Sequence, residues 1–109
     1  RGHSVVAPAR RAAHLPARPG LYPVTADLTD LVAIPALGRR LLAAHPDLTV
    51  LINCAAVQHA HALTDPASTP AHLIEEVALN LAAPALLTQA LLPGLLIQPD
   101  GAIVNISSG

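Results

Sequence analysis

The chain has 109 residues, of which 52% are hydrophobic and only 1% aromatic, with a formal net charge of −1. That length supports one domain. Near-neutrality leaves no electrostatic footprint for a nucleic acid or an anionic membrane, and a lone aromatic ring cannot build a base-stacking surface for single strands.

All six basic residues are Arg, and Tyr22 is the one Tyr. Cys54 is the one Cys, which excludes an intrachain disulfide and reads as a small buried hydrophobe. The opening Arg1-Gly-His-Ser has neither a Met nor a following apolar stretch of the secretory kind. It reads as an interior segment of a longer, cytoplasmic protein. Residues 81–97 are apolar but carry Pro84, Gln89, Pro93 and Gly94. They fall short of the roughly 20 residues a membrane span needs, so a core helix is expected.

Four short apolar runs alternate with helical patterns. The first, Ser4-Val-Val-Ala-Pro-Ala, ends at Arg10-Arg11, and a Pro-broken connection with a turn or two of helix follows. The second, Leu21-Tyr-Pro-Val-Thr-Ala, ends at Asp27. Leu31, Ile34, Leu37 and Leu41 then recur at helical spacing, with Asp30 placed to cap and Pro35 tolerated only in a first turn. The third run, Leu48-Thr-Val-Leu-Ile, ends at Asn53. Ser68-Thr-Pro70 opens the next helix, with Leu73, Val77 and Asn80 on one stripe expected to face the core. The fourth, Ala102-Ile-Val-Asn-Ile, follows a turn at Gly101 and ends at Ser107-Ser108. Continuous apolar runs suit strands covered on both faces. The order β-α-β-α-β-α-β implies a parallel sheet with right-handed crossovers, an α/β domain.

Every run ends in a polar residue: Arg10, Asp27, Asn53 or Ser108. In a parallel sheet these ends share one edge, where ligands bind. Taken singly, each has a simpler reading: a solvated charge, a turn-opening Asp, a strand-end cap, a capping hydroxyl. Their joint placement favours a site. His59-Ala-His61 with Asp65 nearby lacks a convincing third ligand and reads as polar loop; no metal is expected.

At these positions the chain resembles the short-chain dehydrogenase/reductase family. Leu51-Ile-Asn-Cys-Ala-Ala56 is similar to the family's Asn-Asn-Ala-Gly element, with Cys54 in place of the second Asn and Ala56 in place of the Gly. Asp27-Leu-Thr-Asp30 resembles its adenine-contacting turn. Asn80-Leu-Ala-Ala-Pro resembles its helix bearing the structural and catalytic Asn. Gly101-Ala-Ile-Val-Asn-Ile-Ser-Ser108 resembles the strand that delivers the catalytic Ser.

The resemblance implies a partial Rossmann-like fold, residues 1–109 forming one partial domain of three layers. It also implies hydride transfer between a nicotinamide cofactor and a carbonyl or alcohol. Ser108 and Asn80 would be catalytic. Ser108 would hydrogen-bond the substrate oxygen, while the Asn80 carbonyl, deprived of a helical donor by Pro84, would hold a relay water. Arg10, Asp27, Leu28, Asn53, Ala55 and Ala56 would contact the cofactor. Two guanidiniums and no carboxylate at the end of the first run favour NADP over NAD.

The family's Gly-rich phosphate turn and Tyr-x-x-x-Lys pair do not occur in these residues, and no Lys is present at all. Inactivity of the isolated chain is therefore expected; a non-catalytic dinucleotide-sensing or protein-interaction module is the alternative. The family's strand order, 3-2-1-4-5, further implies a fifth strand between the first and third runs. Without it, either a gap of about two strand spacings of roughly 4.8 Å should separate two strand pairs or the pairs should collapse to compensate, and stability should be marginal.

Overall fold

In a computed structural model, which describes residues 3–59, 62 and 64–107, the four apolar runs form strands. They are β1 (Val5–Ala9), β2 (Leu21–Thr25), β3 (Val50–Asn53) and β4 (Ala102–Asn105). β1 and β2 pair in parallel, Val5 opposite Leu21 and Ala9 opposite Thr25. β3 and β4 pair in parallel, Val50 opposite Ala102 and Asn53 opposite Asn105. The two pairs are separate two-stranded sheets, so no ladder joins β1 to β3. The expected division into two strand pairs, with the first run not paired to the third, is present.

The connections follow local chemistry. A single 3₁₀ turn, Ala12–His14, links β1 to β2, consistent with its Pro-broken sequence. Gly20 enters β2 at φ 80°, a conformation open to a residue without Cβ. Another 3₁₀ turn, Leu31–Ala33, leads into α1 (Ile34–Ala44), with Pro35 in the first turn where a missing N–H costs nothing. Asp30 sits at the N-cap position of that 3₁₀ turn, but its side chain makes no capping bond. α2 (Pro70–Val77) runs into a π turn (Ala78–Ala82) and then α3 (Ala83–Leu96), one continuous helical run.

The core lies where α1 crosses α3. Ile34, Leu37 and Leu41 of α1 interdigitate with Ala83, Leu87, Leu91 and Leu95 of α3, over Leu51 of β3. Gly38 allows this crossing: a Cβ there would collide with the Ala90 methyl of α3. No ladder joins the sheets, so the halves are joined by packing: this helix contact, with Val6, Val24 and Leu28 against the same cluster.

Several expectations are corrected by burial. The Leu73, Val77 and Asn80 stripe is exposed, with Leu73 64% and Val77 47% accessible, because no described element covers that side of α2. Cys54 is exposed, not buried, since the chain leaves the sheet just after Asn53. In β3, Leu51 and Asn53 are buried while Val50 and Ile52 are exposed, so this pair is covered on one face. The length argument against a membrane span also changes. The run Pro70–Leu96 has 27 residues, an 18-residue stretch of it reaches a mean hydropathy of 1.5, and it is long and apolar enough to cross one. What the structure shows of it is the stripe 83, 87, 91, 95 packed against α1.

The one-sided packing leaves a large surface. The chain exposes 7800 Å², against about 5700 Å² for a compact monomer of this mass. Its radius of gyration is 15.5 Å, against about 13 Å for a compact domain of this length.

Candidate active site at the strand ends

The register brings the polar ends of the runs together in pairs. Arg10 follows β1 and Asp27 lies two residues beyond β2, and the Arg10 charge reaches Asp27. Asp27 opens a tight turn: its Oδ1 accepts bonds from the Thr29 N–H at 2.9 Å and the Thr29 hydroxyl at 2.6 Å. The Thr29 bonds hold the Asp27 carboxyl below its usual range, and the Arg10 guanidinium lowers it slightly further. Both bonds fall on Oδ1, and Asp27 is exposed. Leu28 turns inward and packs against the core.

At the other pair, Asn53 is buried, and its Nδ2 donates to Asn105 Oδ1 at 2.8 Å and to Thr88 Oγ1 at 3.3 Å. Its amide thus ties the ends of β3 and β4 to α3. Cys54, Ala55 and Ala56 follow in an exposed loop. Pro8 and Leu28 from one half, and Asn53 and Ala55 from the other, border one cavity of about 510 Å³.

Asn80 reaches across to this loop. Its Oδ1 accepts from the Val57 N–H at 2.8 Å and its Nδ2 donates to the Val57 carbonyl at 2.7 Å. The pair of bonds clamps the loop after β3 onto the π turn. That turn also disturbs the carbonyls. The Ala83 N–H bonds to the Ala78 carbonyl, an i→i+5 step, and Pro84 has no N–H. Leu79 and Asn80 therefore both lose their regular i+4 donors. Pro84 was a readable signal for this; the π turn and the reciprocal bonds to Val57 were not.

A second cluster, also unforeseen, lies beside the clamp. His59 Nε2 sits 2.8 Å from Glu75 Oε2, the His59 N–H donates to Glu76 Oε1, and the His59 ring stacks on His72 at 4.2 Å. Glu75 and Glu76 lie toward the C-terminal end of α2. Among the described residues no group of three or more His, Cys, Asp or Glu is arranged to hold a metal. Tyr22 lies against His45, ring centroids 5.6 Å apart, on β2. Ser108, the expected catalytic Ser, and His61 fall outside the described residues.

Residues 3–109 match the family model for the short chain dehydrogenases. The chain belongs to this family. Among solved structures, it is similar to a short-chain dehydrogenase from Streptomyces avermitilis, at 30% identity and TM-score 0.83 over 98% of this chain and 40% of that one. A metagenomic short-chain oxidoreductase in complex with NADP shares 34% identity and TM-score 0.83, over 97% of this chain and 50% of its own. A 3-oxoacyl (acyl-carrier-protein) reductase from Agrobacterium tumefaciens C58 with NADP bound shares 28% identity and TM-score 0.70, over 81% and 33%. No curated protein matches the chain. It spans half or less of the length of these structural relatives.

Proposed function

We propose that these residues form part of the cofactor and catalytic site of an NADP-dependent oxidoreductase that interconverts a carbonyl and an alcohol. The observation that carries this reading is Asn80: its side chain locks the loop after β3, while the π turn and Pro84 take the i+4 donor from its carbonyl. A carbonyl so released, at a fixed place beside the strand ends, can hold a water in a proton path.

The strand ends also fit a dinucleotide. The Asp27 carboxylate would accept from an adenine amino group with the Leu28 backbone beside it, and Arg10 would supply a charge for a ribose 2′-phosphate. Asn53, Ala55 and Ala56 would flank the ribose, with Asn53 acting by holding the strand ends in place. A bound nicotinamide supplies the hydride chemistry. Ser108, three residues after β4 in the sequence, would donate a hydrogen bond from its hydroxyl to the substrate oxygen as negative charge grows there. Tyr22, held at β2 against His45, cannot serve as the proton donor. The 109-residue chain by itself is therefore expected to bind without turning over.

The test is calorimetric titration of the chain with NADP and NAD, together with its Arg10→Asp variant. NADP should bind at least tenfold tighter than NAD, and Arg10→Asp should erase that preference. Equal affinities in the unmodified chain would refute the assignment of Arg10.

A further inference from the structure

Joining two adjacent parallel strands ordinarily takes roughly a dozen residues or more, with a helix that covers one sheet face. Between β1 and β2, residues 10–20 do it with the single 3₁₀ turn Ala12–His14. Pro16 drives Leu15 into an extended backbone, at φ −70° and ψ 143°. Pro19-Gly20 then makes a tight turn. The Leu21 N–H donates to the Arg18 carbonyl at 3.2 Å, and Gly20 takes φ 80°, as a type II turn requires. The Val5 N–H donates to the Gly20 carbonyl at 2.7 Å and ties that turn to β1. The connection is fixed in shape without being helical.

Val24 and Ala26 pack toward the core cluster, so Leu21 and Pro23 alternate onto the opposite face of β2. Between that face and the connection lies a hollow of about 660 Å³, open on one side. Leu15, Pro16, Pro19, Leu21 and Pro23 line it, together with the exposed Arg18. The charge around it is one-sided. Every Asp and Glu lies at or beyond position 27, whereas Arg10, Arg11 and Arg18 all come before it. The Arg10 charge acts on Asp27. Among the described residues, Arg11 and Arg18 pair with no carboxylate, and both are exposed.

We infer that this hollow is a docking site for an acidic polypeptide segment that carries apolar side chains. Arg18 takes its carboxylates, and the surface from Leu15 to Leu21 takes its apolar residues. The inference is independent of the proposed enzymatic role. The lining selects the chemistry: Leu and Pro side chains have no hydrogen-bonding groups, so apolar burial must supply the contact, while the unpaired guanidiniums favour an anionic partner. The shape selects the size. A small ligand needs about 70–90% of its surface enclosed, which an open hollow does not provide, whereas a polypeptide can fill it and still reach Arg11 next to the lining Ala12. A single-stranded nucleic acid would find the charge but no aromatic ring in the lining on which to stack its bases. Two prolines and a hydrogen-bonded turn hold the surface ready, which spares the partner the cost of ordering a loop.

The probe is fluorescein-labelled Asp-Glu-Leu-Asp-Leu-Glu-Asp-amide, titrated into the 109-residue chain by anisotropy at low salt. Arg18→Glu, which turns an attraction into a repulsion, should weaken binding about tenfold. Leu15→Asn should weaken it about fivefold, as should replacing both Leu of the peptide by Ser. Arg40→Glu changes the net charge equally but lies on α1, outside the lining; it should leave binding within about twofold. Far-UV circular dichroism checks that each variant folds. In the unmodified chain, NMR should show the amides of Leu15, Ala17 and Leu21 shifting on titration while that of Leu51 stays fixed. Equal losses with Arg18→Glu and Arg40→Glu would reveal diffuse charge attraction and overturn the inference. So would undiminished binding of the Ser peptide, tighter binding of a single-stranded oligonucleotide of equal charge, unmoved amides at Leu15 and Leu21, or no binding at millimolar peptide.

Discussion

Gly38→Ala sets two effects of opposite sign against each other. Within a helix, Ala is favoured over Gly by about 0.8–1.0 kcal/mol. At this position, however, the new Cβ meets the Ala90 methyl of α3. That methyl is fixed to backbone and cannot rotate away, so relief requires the helices to separate. Overpacking of this kind costs about 1–3 kcal/mol, and no sheet ladder holds the halves if the helices part. The net expectation is destabilisation by roughly 0–2 kcal/mol. The chain has no Trp, so urea unfolding is best followed by far-UV circular dichroism with linear extrapolation. Ala90→Gly in the same background moves the methyl across the interface and should recover most of the loss. A Gly38→Ala variant more stable than the unmodified chain by the full propensity gain would refute close contact between α1 and α3, and with it the account of how the halves are joined.

Leu91→Ala, at a side chain 2% exposed in the centre of the same contact, should cost about 2–5 kcal/mol, enough in so thinly packed a chain to abolish a cooperative urea transition. Asn80→Ala removes both bonds to Val57, each worth about 0.5–1.5 kcal/mol. It should speed amide exchange at Val57 and His59 while leaving Leu51 unchanged; unaltered exchange at Val57 would sink the clamp.

The Asp27 carboxyl should titrate by NMR below the ordinary Asp value of about 3.9, and Thr29→Ala should return it toward that value. Since its folded pKa is depressed, its contribution to stability is complete above the unfolded value and fades as pH falls through the folded one. For so exposed a group the effect on overall stability is small. An unshifted Asp27 in the unmodified chain would contradict the turn geometry.

The strands were the most legible part of the fold because each apolar run is short and bounded by Gly, Pro or a polar end, and residues 5–9, 21–25, 50–53 and 102–105 all fall within the runs. Ile34, Leu37 and Leu41 were equally readable, since a 3.6-residue period with no interruption marks one face. The period misled at Leu73 and Val77. It identifies a stripe, but what covers the stripe depends on other elements of the fold. At the candidate site, Arg10, Asp27 and Asn53 were visible as polar residues closing apolar runs. The partners of Asn53, Thr88 and Asn105, lie 35 and 52 residues away, and only the register of β3 on β4 brings them in. His59 meeting Glu75 and Glu76 is of the same long-range kind.

The π turn at 78–82 amounts to one extra residue lodged in an otherwise regular helix. Each residue advances a helix by about 100°, so the insertion resets the phase between Pro70–Val77 and Ala83–Leu96. A helical wheel drawn through all 27 residues therefore misplaces one half relative to the other. It also means that deleting a single residue, Ala82 for example, would give a smoother helix. That helix would swing Glu75 and Glu76 away from His59 and Asn80 away from Val57. Ordinary helicity would rise as the loop came loose.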